Sequence, residues 1–217
     1  MTPLRRVGVA AAAATLLVFA GLSLWYGGRA AVADADALHA RWVVSEWRDG
    51  SGPTFTPEIW LQTRDDLRHA LQITPGNAQL YDDLGFLHAT RAKGMGTPEQ
   101  GSAAHTYQLQ LLDEAIVSYR AATTLRPTFP YSWAYLALAK HLKGELDAEF
   151  WRAFDKAMQY GHSEAGVQPT LAQIAFARWN TVGPQRQQST IQMVNTAQEQ
   201  AKIRLLELAQ HARVILP

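Results

Sequence analysis

Cysteine is absent from the 217-residue chain. That excludes disulfide frameworks, thiolate zinc sites and cysteine nucleophiles. It suits an oxidising compartment without demanding one. Charge is scarce: Asp, Glu, Lys and Arg make up 18% of the residues, against roughly 25% in ordinary soluble domains. Neither sign dominates. Setting aside Arg5, Arg6 and Arg29 leaves 17 basic against 19 acidic residues, which is no electrostatic footprint for nucleic acid. Alternating β-branched runs are missing, as are a Gly-rich phosphate loop and a G-x-S-x-G elbow. Gly94-Met95-Gly96 reads only as a turn.

The seven histidines are His39, His69, His88, His105, His141, His162 and His211. No two sit three or four apart on one helix, so none forms a metal-binding pair; each reads as a partly exposed polar residue, and no metal or cofactor is expected. Asp65-Asp66 and Asp82-Asp83 are adjacent carboxylates. Neighbours on a helix point about 100° apart, so each pair reads as a solvated face and not as a shared-proton site. Asp34 and Asp36 read as solvated too. No catalytic residue stands out.

What the sequence does have is one long apolar run and many helical signals. Val7 to Tyr26 is 20 residues without a charge. As a helix it spans about 30 Å, the thickness of a bilayer core. Val7, Leu16, Leu17, Phe19, Leu24, Trp25 and Tyr26 are the expected anchor residues, with the last two at the depth where amphipathic rings favour the interface. Arg5 and Arg6 precede the run and only Arg29 follows closely, which predicts a cytoplasmic N-terminus and the bulk of the chain across the membrane. A cleaved signal peptide is the rival, with Ala31-Val32-Ala33 as its cleavage site, although its apolar core is usually shorter; a buried core helix is the third reading.

Alanines and leucines recur at helical spacing through the remainder. Helices are expected at about 32–48, 57–73, 78–93, 98–124, 130–143, 146–160, 168–180 and 187–214. Thr56-Pro57-Glu58 supplies a cap, a first-turn proline and an early acid; Thr97-Pro98-Glu99-Gln100 repeats the device as a capping box. Short connections predict antiparallel neighbours.

The spacings then fall into a repeat. Tyr81-x2-Leu84-Gly85, with His88 at a second aromatic position, resembles the first helix of a tetratricopeptide unit. Ala115-x3-Tyr119-x2-Ala122-x4-Pro127 resembles the second. Trp133-x2-Leu136-Ala137, Gly144 and Phe154-x2-Ala157 restart the pattern. Leu67-x2-Ala70-x4-Pro75 resembles the second helix of a degenerate preceding unit. Small residues at these spacings let paired helices approach, and large ones fill the gaps between units. An extra stretch of about 18 residues, Arg91 to Gln108, separates the halves of the central unit. An ordinary helical bundle is the alternative.

The expected fold is therefore all-α. A transmembrane signal anchor (1–30) leads through a membrane-proximal helix and linker (31–56) to a tetratricopeptide-like right-handed array (57–160) and capping helices (161–217). The long last helix carries Ile191, Val194, Ala201, Leu205, Leu208, Ala212 and Ile215 at 3–4 spacing. It caps the array, or alternatively supplies a coiled-coil seam for a homo-oligomer. In the repeat register, Gln79, Asp82, Phe86, Tyr131, Ala134, Leu138 and His141 line a concave, partner-binding face. The tryptophans Trp42, Trp47, Trp60, Trp133, Trp151 and Trp179 read as core, with ligand stacking as the alternative.

The run Leu125-Arg-Pro-Thr-Phe-Pro-Tyr-Ser-Trp-Ala-Tyr-Leu-Ala-Leu-Ala-Lys140 resembles a signature of bacterial exopolysaccharide-operon proteins of the VpsP type. So do Asp147-Ala-Glu-Phe150, Phe154-x2-Ala157 and Gly166-Val-Gln168 before a helix ending at Trp179. The likeness covers roughly 110–180. It implies a membrane-anchored accessory protein or scaffold in polysaccharide biosynthesis or export, in the bacterial inner membrane with its main domain periplasmic. Its partners would be the membrane and proteins of a polysaccharide assembly complex, and the resemblance brings no catalytic residues. A periplasmic glycan-acting enzyme and an assembly factor for another envelope process remain as alternatives.

Overall fold

The computed structural model describes the backbone of residues 3–216 and the side chains from Ala12 to Leu216. The side chains of Arg5, Arg6 and Val7, named above, lie outside the described residues. Among the described residues there are nine helices and no strand. The protein is all-α, and its helices pack in repeat-like pairs. The chain divides into two compact units, Met1–Leu80 and Tyr81–Pro217.

The first unit holds α1 (Pro3–Asp49) and α2 (Pro57–Ile73). Two separate helices were expected before Gly50; α1 instead runs unbroken through Gly27 and Gly28. Each glycine costs a helix only about 1 kcal/mol relative to alanine. That is too little to break a rod with long flanking helical runs. From Leu16 to Tyr26 the large apolar side chains are exposed, with Leu17 at 73% and Leu24 at 77%. The helix is long and apolar enough to span a membrane.

Beyond the apolar run, α1 buries Ala33, Ala37, Ala40 and Val44, and α2 buries Trp60, Thr63, Leu67 and Ala70. Both sets step by three and four residues, as one stripe on each helix must. Alanines on α1 let the two backbones approach closely. Thr56 caps α2, its hydroxyl accepting from the Ile59 amide at 3.3 Å. The connecting turn is closed by the Trp47 indole, which donates to the Pro53 carbonyl at 2.8 Å and packs on Phe55. Thus α2, expected as the second helix of a degenerate repeat, has the outer half of α1 as its partner.

The second unit contains most of α3 (Ala78–Gly94), then α4 (Ala103–Leu125), α5 (Pro130–Lys143), α6 (Ala148–Gly161), α7 (Gln168–Ala177), α8 (Pro184–Thr196) and α9 (Glu199–His211). The repeat spacings become packing at Gly85. A Cβ there would stand 2.7 Å from the Tyr119 ring, closer than atoms can sit. Glycine on α3 is therefore the socket for the buried tyrosine on α4. Ala115, Ala122, Ala137, Ala153 and Ala157 are all fully buried, and Phe150 and Phe154 fill the spaces beside them.

Among the boundaries that differ from expectation, three bear on the packing. First, α4 starts at Ala103 and not near Pro98, because Gly101 sits at φ +82, a left-handed conformation no helix continues through. Ser102 provides the cap, accepting from the His105 amide at 3.1 Å. The extra residues of the central unit close on themselves: the Gln108 amide donates to the Ala92 and Gly96 carbonyls, each at 2.9 Å. Second, α7 ends at Ala177, three residues early. Third, the single C-terminal helix is two. Ala197 and Gln198 are extended, with ψ 150 and 151. The break lets α8 bury Thr190, Met193 and Val194 while α9 buries Leu205 and Ala209; α9 packs on α7. A straight rod could not turn both stripes inward. The break also interrupts the long seam on which a coiled-coil pairing would depend.

Gly85→Val should destabilise the protein by about 1–3 kcal/mol, the usual cost of overpacking. Adding Tyr119→Leu should make the double variant more stable than the sum of the two single changes predicts, read by urea denaturation of all four proteins.

Candidate interaction surface

The central helix α5 owes its position to charges at both ends. At its start, Asp82 from α3 is 3% exposed, and its Oδ2 accepts from the Ser132 hydroxyl at 2.9 Å. The Arg126 guanidinium, at the end of α4, also donates to this oxygen. A carboxylate beside the first turn of α5 meets the positive end of the helix dipole. Asp82 is therefore buried, as is Asp83 beside it, and neither is solvated as expected. The partners that hold Asp82 lie 44 and 50 residues away, so no local pattern announces them. His88 is likewise buried and not partly exposed as expected; it sits at an aromatic position of the repeat.

At the other end of α5, Lys140 is 2% exposed. Its ammonium donates to Glu145, Asp147 and Glu149 at 3.1, 3.0 and 3.0 Å. Gly144 ends α5 in the left-handed conformation, and the Glu145 amide reaches back to the Lys140 carbonyl. This tight turn brings the acidic start of α6 onto the basic end of α5, where both helix dipoles favour the pairing. Asp147 also caps α6 through the Phe150 amide at 2.9 Å. Arg120 of α4 grips Glu149 with two bonds of 2.8 Å. Lys143 adds contacts to Asp113 and Glu145.

The charges in this cluster tune one another. Arg120 hydrogen-bonding holds the Glu149 carboxyl down at about 2; burial opposes the shift and Lys140 adds to it. Burial pulls Lys140 towards neutrality, but its bonds to Asp147, Glu149 and Glu145 outweigh this and raise its value. Every carboxylate in the cluster thus faces a cation. The arrangement clamps α4, α5 and α6 together and stays fully ionised near neutrality.

Between these two ends, α5 carries the residues expected on a concave face. The Tyr131 ring lies 5.3 Å from Phe129 and 6.5 Å from Tyr135, and Tyr135 lies 5.7 Å from Tyr119. Tyr131, Tyr135 and Leu138 are half-buried and follow one stripe of α5. The Tyr131 hydroxyl is pushed up by burial and by Glu164. His141 stacks on Phe150, and its Nδ1 accepts at 3.4 Å from Nε of Arg178, the residue just after α7. Burial and then the Arg178 charge lower its value, so the ring is neutral, as an accepting nitrogen requires.

Of the residues expected on this face, Tyr131, Leu138 and His141 share α5 in a part-exposed stripe, and Phe86 is half-buried on α3. Ala134 and Asp82 are buried and offer little to a partner. Gln79 belongs to the first unit. Tyr135 and Arg178 extend the stripe; Tyr135 was legible as the residue four beyond Tyr131, whereas Arg178 depends on how α7 packs. Trp133 is half-buried and donates to the Pro127 carbonyl at 2.8 Å, locking the α4–α5 turn. Trp60 is buried as expected, but Trp42 is 52% exposed; it lies on the α1 face away from the Ala33–Val44 stripe.

A separate cleft of about 560 Å³ lies between α6 and the start of α8, lined by Phe154, Met158, Gly183 and Ser189. Its Asp155 is held by Arg186 through bonds of 2.6 and 2.8 Å, and that guanidinium stacks over Trp151. Among the described residues no group of three or more His, Asp or Glu could hold a metal ion. No family model and no curated protein matches the chain.

Glu149→Gln should cost about 2 kcal/mol at pH 7, in the range for bonds to charged groups. The folded value of about 2 lies below the ordinary 4.5. The ionised carboxylate therefore stabilises the fold above 4.5, and this contribution is lost as pH falls from there towards about 2. Melting curves of wild type and variant should converge over that window.

Proposed function

We propose that the chain is a single-pass, membrane-anchored interaction protein that holds protein partners in a bacterial exopolysaccharide assembly complex. In this reading its N-terminus is cytoplasmic and its helical domain periplasmic. The observation that carries the reading is a division of labour within α5. The charges gathered around its two ends are consumed by internal pairing, while the Tyr131–Tyr135–Leu138–His141 stripe remains part-exposed. Half-buried aromatics held by a rigid scaffold lose little entropy on binding, which is what interface anchors need. An anchored domain also samples only the membrane surface, which raises its effective concentration near membrane partners. The polysaccharide setting draws on the likeness of Leu125–Lys140 to the VpsP-type signature.

Crosslinking of the full chain in native membranes, with identification of the captured proteins, tests the proposal. Components of a polysaccharide assembly complex should be captured, and Phe86→Ala/Tyr131→Ala/His141→Ala should reduce their yield about ten-fold, the effect of losing roughly 1.4 kcal/mol. Circular dichroism of the triple variant should still report a folded protein. Undiminished capture would move the binding face elsewhere, and partners from another envelope process would overturn the polysaccharide setting.

A further inference from the structure

A groove of about 580 Å³ opens in the first unit where the end of α2 meets α1. Leu24, Trp25, Gly28 and Val32 of α1 and Ile73 of α2 form its apolar walls, with Arg29 between them. Its size falls within the usual range for small-molecule sites, roughly 300–1,000 Å³. Arg29 is placed with care. Its Nη2 donates to the Ile73 carbonyl at 2.7 Å, and its guanidinium lies 5.9 Å from the centre of the Trp25 ring. A guanidinium carries five N–H groups and this bond uses one. No carboxylate lines the groove, so its only formal charge is positive.

Depth along the helix identifies the occupant. The charge-free run ends at Tyr26, and Arg29 follows three residues later, about 4.5 Å further along the axis. That is where phosphates sit when the run spans the hydrocarbon core. The Arg29–Ile73 bond fixes the end of α2 at the same depth. The groove is therefore continuous with the lipid-facing surface of α1 at Leu24 and Trp25, and it presents one cation at phosphate level.

We propose that this groove holds one anionic phospholipid, its phosphate on Arg29 and an acyl chain running past Trp25 and Leu24. The site uses lipid to complete the joint between the membrane helix and the hairpin outside it. It takes a fork-shaped cation for the phosphate, an indole for the glycerol level and a glycine that keeps the wall open. A Cβ at Gly28 would meet nothing within 4 Å, so the space there belongs to the groove and not to packing. The inference rests on reading α1 as a membrane anchor.

Native mass spectrometry of the full chain in detergent, titrated with dioleoylphosphatidylglycerol or with phosphate-free dioleoylglycerol, tests it. One phosphatidylglycerol should be retained per chain, at least about five-fold more than the diacylglycerol. Arg29→Ala, which removes the cation, and Gly28→Leu, which fills the groove, should each lower retention by a similar factor. Circular dichroism should show that both variants keep their helices. Equal retention of the two lipids, or equal retention by wild type and both variants, overturns the site. Carbonate washing of native membranes separates the two readings. A chain that stays embedded while retaining no lipid selectively refutes the groove alone, and a chain that washes off refutes the anchor and the groove together.

Discussion

A run of large apolar side chains that no other part of the described chain covers is the constraint on which the rest depends. Leu16, Leu17, Phe19, Leu24 and Trp25 are exposed on α1. Withdrawing each such side chain from water is worth roughly 1.5–3 kcal/mol, so together they are comparable with the roughly 5–15 kcal/mol by which a domain is ordinarily stable. Such a surface belongs to a helix long and apolar enough to cross a membrane. The helix carrying it continues without interruption into the hairpin with α2, so the placement of the run and that of the hairpin are tied to one another.

Outside that run, the fold is held by one recurring device, small residues opposite large ones. On α1 the small partners are Ala33, Ala37 and Ala40. In the second unit Gly85 receives Tyr119, and buried alanines on α4, α5 and α6 alternate with Phe150 and Phe154. Close-packed seams of this kind need no polar groups, which leaves the charged residues for another task. They gather at the turns: Asp82 with Arg126 and Ser132 where α5 begins, and Lys140 with three carboxylates where α6 begins. Apolar seams provide the adhesion and charged turns fix the angles between successive helices, so α5 can expose aromatic surface without losing its place.

Much of this was legible in the residues. The all-helical class, the Thr56 cap, the Gly144 stop and the Gly85 socket each follow from local spacing, because small-to-large complementarity and φ > 0 conformations leave a mark within a few positions. The misses share a cause. The gap expected between Tyr26 and a helix starting near residue 32 is absent, because helical runs on both sides override the weak local preference of Gly27 and Gly28. Thr97-Pro98 looks like a cap, but Gly101 lies in the way. Asp82 and Asp83 look like surface residues, because a charge is normally left in water unless a partner awaits it. For Asp82 that partner stands more than 40 residues along the chain. The C-terminal stripe reads as one helix because periodicity cannot show that two walls must be covered from different directions.

The chain's lack of cysteine makes the most direct measurement simple. Single cysteines placed along α1 of the full-length protein can be probed in native membranes with a membrane-impermeant maleimide. The account predicts that Leu16→Cys, Phe19→Cys and Leu22→Cys resist labelling from either side, while Asp34→Cys, Leu38→Cys and Ser45→Cys react from one side only. Labelling of the first group as readily as the second would contradict the membrane-spanning helix, and with it the tethered binding role built upon it.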